Sequence, residues 1–301
     1  MNELVSIIIP TYKRSYNVLI KAIRSVLNQT YTNIEIIIVN DNPKMQQYRN
    51  EIRTKIDKIN DNRLVYIEHE KNQGACAARN TGIKHSQGKY VAFLDDDDEW
   101  MVNKVELQLT KFKDPDVGLV YCDSHTIIVK NEKVIDKKVR ANRFSGWVYD
   151  ELIIDNFIGS TSFVMLKKEV LNKCGYFDKN LRSAQDFELW LRISRLYKVN
   201  YVSEILVNYY MHDGERISTN VNNKISGLES LINLNIDYLR VNPKAHCIRK
   251  LKILPFYARR DGFKKALLKW MEAIKLYPYQ LINLKYLMKI FKVKIQSINI
   301  G

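Results

Sequence analysis

The stretch Glu35-Ile-Ile-Ile-Val-Asn40 decides the fold. Its continuous apolar run lacks the alternation of a sheet with one wet face. Both faces are therefore buried, as in a parallel sheet covered by helices. The pattern repeats outward from it. A strand over Leu4–Pro10, containing Val5-Ser-Ile-Ile-Ile-Pro10, precedes it, and strands over Arg63–His69 and Lys89–Leu94 follow. Between them lie segments with helical spacing. Tyr16–Gln29 places Val18, Leu19, Ala22, Ile23, Val26 and Leu27 on one side, Met45–Ile59 is a more polar helix, and Gly74–His85 a third. This alternation predicts a doubly wound α/β sheet, with ligands collecting beyond the carboxyl ends of its strands.

Those ends carry the unusual residues: Pro10-Thr11-Tyr12-Lys13-Arg14, Asn40-Asp41-Asn42-Pro43, and Asp95-Asp96-Asp97-Asp98-Glu99-Trp100. Three strand ends thus aim polar groups at one rim. Adjacent carboxylates repel one another unless a cation or solvent compensates. A divalent cation bridging one or two of them to substrate phosphates does this well. The alternative is that Asp97 or Asp98 caps a helix starting near Trp100.

Beyond Trp100 the alternation decays. A helix is expected over Val102–Phe112 and strands over Val117–Cys122, Ser124–Lys130 and Ile158–Leu166, with polar loops around Arg140–Gly146. An amphipathic helix over Phe187–Leu196 and late strands in Val199–Tyr210 follow. After about Asn220 only helices are expected: Lys224–Leu239, Ala245–Arg259, Asp261–Leu276 and Tyr279–Lys292. The expected division is a catalytic domain over 1–219, its nucleotide half 1–100 and acceptor half 101–219, and a helical basic region over 220–301.

The chain of 301 residues carries a net charge of +15, and that charge is unevenly placed. From Arg240 to Gly301 there are 15 basic residues against two acidic ones, hence +13, which leaves +2 for residues 1–239. Such a tail seeks phosphate, on lipid headgroups or nucleic acid. A charged fraction of 27% with 18 Tyr, 10 Phe and 4 Trp excludes a disordered chain. Four scattered cysteines argue against a zinc cage or disulfide framework and point to a reduced cytosolic setting. Nothing near Met1 reads as a signal peptide, and no run approaches the ~18 apolar residues of a spanning helix.

In order along the chain, Pro10-Thr11-Tyr12-Lys13-Arg14, Val39-Asn40-Asp41, Asn72-Gln73-Gly74, Ala78-Arg79-Asn80 and Phe93-Leu94-Asp95-Asp96-Asp97-Asp98 resemble the family 2 glycosyltransferases. These are inverting, nucleotide-sugar-dependent enzymes with the GT-A fold, a Rossmann-like and mainly parallel sheet flanked by helices. The resemblance spans about residue 4 to about 218 and implies the following assignments. Pro10, Thr11, Tyr12 and Asp41 hold the nucleotide base, usually uracil. Stacking on Tyr12 and an imide N–H donated to Asp41 suit those residue types. Read without the family, Tyr12 is packing, Asp41 an Asx-turn residue and Arg79 a surface ion-pair partner. With it, Arg79 lies near the base and phosphates, Asp95 and Asp96 approach the ribose, and Asp97 holds Mn2+ or Mg2+. The four-aspartate run leaves the register open by one residue, so Asp96 and Asp98 stay in play.

The resemblance also makes Asp186, in Ser183-Ala184-Gln185-Asp186-Phe187-Glu188, the general base; Gln185 stands where the family has Glu. The other reading of Asp186 is the N-cap of its helix. Tyr209-Tyr210-Met211-His212 resembles the family's closing Tyr-x-x-His, with His212 on the metal and Arg216 on phosphate. Trp147, with Phe157 and Gly159–Ser162, lies where the family builds its acceptor cleft.

The partners so implied are a UDP-sugar and a glycan or lipid-linked acceptor in cell-surface polysaccharide synthesis. The basic tail adds an anionic membrane surface at the inner face, whereas a bundle of solvated lysines is the plainer reading. No nucleic-acid partner is expected, because the basic residues lie far along the chain from the acidic rim. A sugar-nucleotide pyrophosphorylase would want a glycine-rich loop after the first strand, and Pro10-Thr11-Tyr12 has no glycine. A homo-oligomer is compatible with all of this.

Overall fold

A computed structural model describes residues 2–42, 46–131, 133–212, 220–278 and 284–288. Strands β1 (Val5–Thr11), β2 (Ile34–Asn40), β3 (Leu64–Glu68) and β4 (Tyr90–Phe93) run parallel in the order β3-β2-β1-β4. Ile7, Ile8, Ile9, Ile36, Ile37 and Val91 within them are wholly shielded from water. That two-sided burial explains the uninterrupted apolar runs. Helix Ala75–His85 crosses β1 closely because Gly82 has no side chain; a Cβ there would lie 2.4 Å from Ile8 Cγ2.

The register builds the rim. Ile8 pairs with Phe93, an offset of 85 that holds along the whole β1–β4 ladder. Continued three residues further, it brings Asp96 level with Thr11 and the acidic run over the end of β1.

The second half of the sheet is mixed. β5 (Glu99–Trp100), β6 (Val117–Lys130), β7 (Lys133–Arg140), β8 (Met165–Lys167) and β9 (Lys198–His212) extend the order to β3-β2-β1-β4-β8-β6-β9-β5, with β7 paired to β6. The two strands expected over 117–130 are one, kept continuous by register shifts against β9 on either side of Asp123. β7 forms over a stretch for which no element is expected and ends at Arg140, where the expected polar loops begin. The strand expected over Ile158–Leu166 shrinks to a 3-10 turn, Thr161–Phe163, and the three residues of β8. The cause is local: Gly159 adopts φ 88°, and the Ser160 side chain accepts the Ser162 N–H, so the chain turns before it can extend.

The chain forms two compact units. The first comprises Met1–Leu152, Asn156–Lys179 and Leu189–Asp213 and contains the whole sheet; the second comprises Ile153–Asp155, Asn180–Glu188 and Gly214–Gly301. Within the second, helices Val221–Leu234, Ile236–Val241, Pro243–Asp261 and Phe263–Ile274 bury Leu231, Leu239, Leu251 and Leu254. The single helix expected over Lys224–Leu239 is divided at Asn235, whose side chain donates to the Leu231 carbonyl at 2.8 Å. Gly227 lets its helix approach the segment before Asp186, since a Cβ there would lie 2.5 Å from the Ser183 carbonyl oxygen. The four cysteines are free thiols. Among the described residues no helix is long and apolar enough to cross a membrane.

Candidate active site

The four aspartates after β4 are not equivalent. Asp98 N–H donates to the Asp95 carbonyl at 3.0 Å, and the run turns so that its side chains alternate. Asp96 and Asp98 are buried, whereas the side chains of Asp95 and Asp97 keep 27% and 16% of their exposure. Asp96 accepts from Thr11 Oγ1 at 2.7 Å and from Arg14 Nε at 2.9 Å. Burial pushes its pKa up to about 6, against the pull of Arg14. Asp98, fully buried, accepts from Ser162 Oγ at 2.6 Å and from the Tyr210 N–H at 3.0 Å. Its pKa stands well above the usual carboxylate range, first through burial and then through the charges of Asp95 and Asp97.

Asp98 is therefore an internal anchor and not a helix cap. The residues after it pair as β5 with β9, and the following helix starts only at Lys104 behind Asn103. The two outward carboxylates face cations. Asp95 takes Arg79 Nη2 at 2.6 Å together with the hydroxyls of Thr161 at 3.2 Å and Ser160 at 3.4 Å. Asp97 takes Arg14 Nη2 at 3.0 Å. Ser160, Thr161 and Ser162, expected on the acceptor side, thus brace the acidic turn; the repeated hydroxyls of Gly159-Ser-Thr-Ser162 were the only sequence signal for it.

On the nucleotide side, Pro10 closes the apolar part of β1, and Tyr12 just beyond its end stands largely exposed, with Lys13 Nζ 5.1 Å from its ring centre. Lys13 adopts φ 53°, a conformation uncommon for a residue with a side chain. Asp41 is buried, and its carboxylate is heavily used. Oδ1 takes His69 Nδ1 and the Gln73 N–H, both at 2.8 Å, and Oδ2 takes the Gly74 N–H at 2.7 Å. A carboxylate only accepts, so His69 carries its proton on Nδ1 and leaves Nε2 to the Thr81 hydroxyl at 2.9 Å. Asp41 thereby clips the Asn72-Gln73-Gly74 loop and aims helix Ala75–His85, on which Arg79 rides. Next to it, the buried side-chain amide of Asn42 has no hydrogen-bond partner on either atom among the described residues. Sequence reasoning passed over Asn42, because an Asn before Pro43 reads first as a turn residue.

His212 ends β9, exposed, its ring stacked on Tyr210 at 6.1 Å. Arg216 lies outside the described residues. Trp147 is exposed in the first unit, with Lys198 Nζ 6.0 Å from its ring centre. Asp186 belongs to the second unit. Its helix starts at Gln185, and the Ala184 carbonyl accepts the Glu188 N–H, so Ala184 occupies the cap position and Asp186 lies inside the first turn. Asp186 is half-buried, its Oδ1 accepts the Phe187 N–H at 2.7 Å, and Ala184 before it adopts φ 60°. Backbone strain of that kind concentrates at functional positions.

Among the described residues no group of three or more His, Cys, Asp or Glu side chains could hold a metal alone. Asp95 and Asp97, two outward carboxylates in one run, are hard oxygen donors of the kind that a magnesium-type cation takes together with substrate phosphates, so their chemistry is compatible with such an ion.

The model of the family described as glycosyl transferase family 2 matches residues 6–175. An uncharacterized glycosyltransferase of Rickettsia bellii is 33% identical over 258 residues, which are 83% of this chain and 36% of that protein. The chain thus spans about a third of that relative's length. The Escherichia coli protein named UDP-Glc:alpha-D-GlcNAc-diphosphoundecaprenol beta-1,3-glucosyltransferase WfgD is 32% identical over 190 residues, 63% of this chain and 69% of that one. Among solved structures, S. aureus TarS 1-349 in complex with UDP-GlcNAc superposes with a TM-score of 0.64 at 16% identity, covering 90% of this chain and 79% of that chain.

Proposed function

The chain belongs to glycosyl transferase family 2, and on that footing we propose that it moves a sugar, with inversion, from a UDP-sugar to a hydroxyl of a glycan or lipid-linked acceptor in cell-surface polysaccharide synthesis. The observation that carries this reading is the alternation in the acidic run. Asp96 and Asp98 lock the turn from inside, while Asp95 and Asp97 face outward between Arg14 and Arg79. The names of WfgD and of the TarS complex support the donor and acceptor classes.

In this reading the base stacks on Tyr12. Asp41 holds the rim in shape, and its remaining lone pair on Oδ2 and the unpartnered amide of Asn42 read the base edge. Asp95 and Asp96 set the ribose side, and Arg79 and Arg14 face the diphosphate. Asp97, with His212, would hold Mn2+ or Mg2+, which when bound offsets negative charge on the departing diphosphate. Asp186 takes the proton of the acceptor hydroxyl as its oxygen attacks the anomeric carbon opposite the diphosphate. Trp147 and Arg216 are assigned to acceptor sugar and phosphate. The basic helices of the second unit dock on an anionic membrane surface, where a lipid-linked acceptor is found.

The test is a panel of nucleotide sugars with Mn2+ or Mg2+. Asp97→Ala should abolish metal-dependent UDP binding. Asp186→Asn should keep UDP binding and slow transfer by roughly 10²- to 10⁴-fold, the usual contribution of a general base. Undiminished transfer by Asp186→Asn would remove the base assignment, and UDP binding indifferent to both chelator and Asp97→Ala would remove the metal.

A further inference from the structure

Arg249, in helix Pro243–Asp261 of the second unit, is 2% exposed. Its Cζ lies 5.0 Å from the centre of the Phe187 ring, yet neither Nε nor Nη2 has a hydrogen-bond partner among the described residues. These two N–H groups point the same way along one edge of the planar guanidinium. That edge takes up both oxygens of a single carboxylate or phosphate. At Arg63 and Arg260 the same edge is filled. Arg63 holds Asp61 through Nε at 3.0 Å and Nη2 at 2.8 Å, and Arg260 holds Asp261 at 2.9 and 2.8 Å. Arg249 presents the same fork with nothing in it.

Among the described residues no acid is hydrogen-bonded to this edge. Asp155 contributes a favourable charge, but its carboxylate is exposed and bound to Lys252 Nζ at 2.6 Å. Burial therefore prevails and lowers the Arg249 pKa to about 10, still far above neutrality, so the group stays charged. A buried cation with unfilled donors is costly, and an oxyanion entering the fork removes both costs at once.

We propose that the Nε/Nη2 edge of Arg249 is a binding site for a phosphate oxyanion carried by the acceptor. This rests on the reading of Asp186 as general base, since Phe187, the ring against the guanidinium, is its chain neighbour. Phosphate is favoured over carboxylate because Lys250 follows Arg249 on the same helix, in the part of the chain that carries +13. A group bearing more than one negative charge answers that surplus better. The site selects acceptors already joined to a phosphate, so the preceding reaction must be one that makes a phosphate-linked sugar.

The experiment is a thermal-unfolding titration of the full chain at fixed ionic strength. The probes are inorganic phosphate, pyrophosphate and a short-chain prenyl diphosphate, with chloride as reference. Phosphate and pyrophosphate should raise the midpoint of the wild type and of Asp97→Ala alike. Arg249→Gln should lose that rise, and Arg249→Lys, a point charge without the fork, should keep only part of it. Protection by the prenyl diphosphate at tenfold lower concentration than pyrophosphate would identify the acceptor as the source; equal potency would overturn that part and leave a site for the free ion. An undiminished rise in Arg249→Gln, or its loss in Asp97→Ala, would overturn the site itself. Should Arg249→Gln not fold, Arg249→Lys decides, since full retention there contradicts a bidentate fork. Because the base assignment is read separately, from transfer by Asp186→Asn, its failure leaves this titration intact.

Discussion

Lys104 shows how a single residue of the first unit trades charge against burial. It is fully buried, donates to Gln108 Oε1 at 2.6 Å and lies 3.8 Å from the centre of the Trp100 ring. Burial lowers its pKa from 10.5 to about 8. A shift of that size corresponds to roughly 3 kcal/mol, a cost of the folded state that is fully present below pH 8. Above pH 8 the unfolded chain holds the proton more tightly, so stability should rise with pH until about 10.5 and then level. Lys104→Met removes the cost but leaves Gln108 Oε1 without a donor, worth about 1–3 kcal/mol, and Trp100 without its cation. The two effects nearly cancel at pH 7. The expected signature is therefore the loss of the rise between pH 8 and 10 in denaturant unfolding, with little change at neutrality. At this scale the sequence pointed to the acidic run but not to its register. What separates Asp98 from Asp97 is Ser162, 64 residues away, and Tyr210, 112 away, contacts that no local pattern encodes.

Helix Ala75–His85 and β1 meet where Gly82 faces Ile8, and that contact sets where Arg79 stands over the rim. An added methyl at Gly82 would come within 2.4 Å of Ile8 Cγ2, in a core of zero exposure that has no free space to yield. Gly82→Ala should destabilise the fold by about 1–3 kcal/mol, the usual cost of overpacking. The measurement is a lower denaturant midpoint at unchanged slope; an unchanged midpoint would mean that the helix shifts freely. The first four strands were legible to within a residue: β1, β2 and β4 because burial on both faces forces an unbroken apolar run, and β3, half-buried with Val65 exposed, through its β-branched and aromatic residues. β7 was not, because its side chains are mostly exposed and lysine-rich, and its pairing is supplied by β6 rather than by its own pattern. β8, at three residues, is too short to show any period.

Across the whole molecule the charge is partitioned, +2 before Arg240 and +13 from it onward. The helical spacing expected over Tyr279–Lys292 falls mostly outside the described residues; within 284–288, Leu284 and Met288 are exposed and Tyr286 is buried. Helix Phe263–Ile274 adds a stripe in which Lys264, Leu268, Met271 and, one residue past its end, Lys275 recur at intervals of three and four, all exposed. Two apolar side chains between lysines are the pattern of a helix that lies in a headgroup region. Each lysine near an anionic surface contributes about 1 kcal/mol, enough together for reversible docking and sensitive to salt over a Debye length of about 10 Å at 0.1 M. The full chain should therefore sediment with vesicles containing anionic lipid and not with zwitterionic ones. Binding should fall at least tenfold in Lys264→Glu/Lys265→Glu/Lys275→Glu, and deletion of Tyr279–Gly301 should weaken it more than it weakens UDP binding. If the triple variant sediments as the parent does, the lysines are only solvated; if sedimentation survives high salt, apolar insertion by Leu268 and Met271, rather than charge, holds the chain to the lipid.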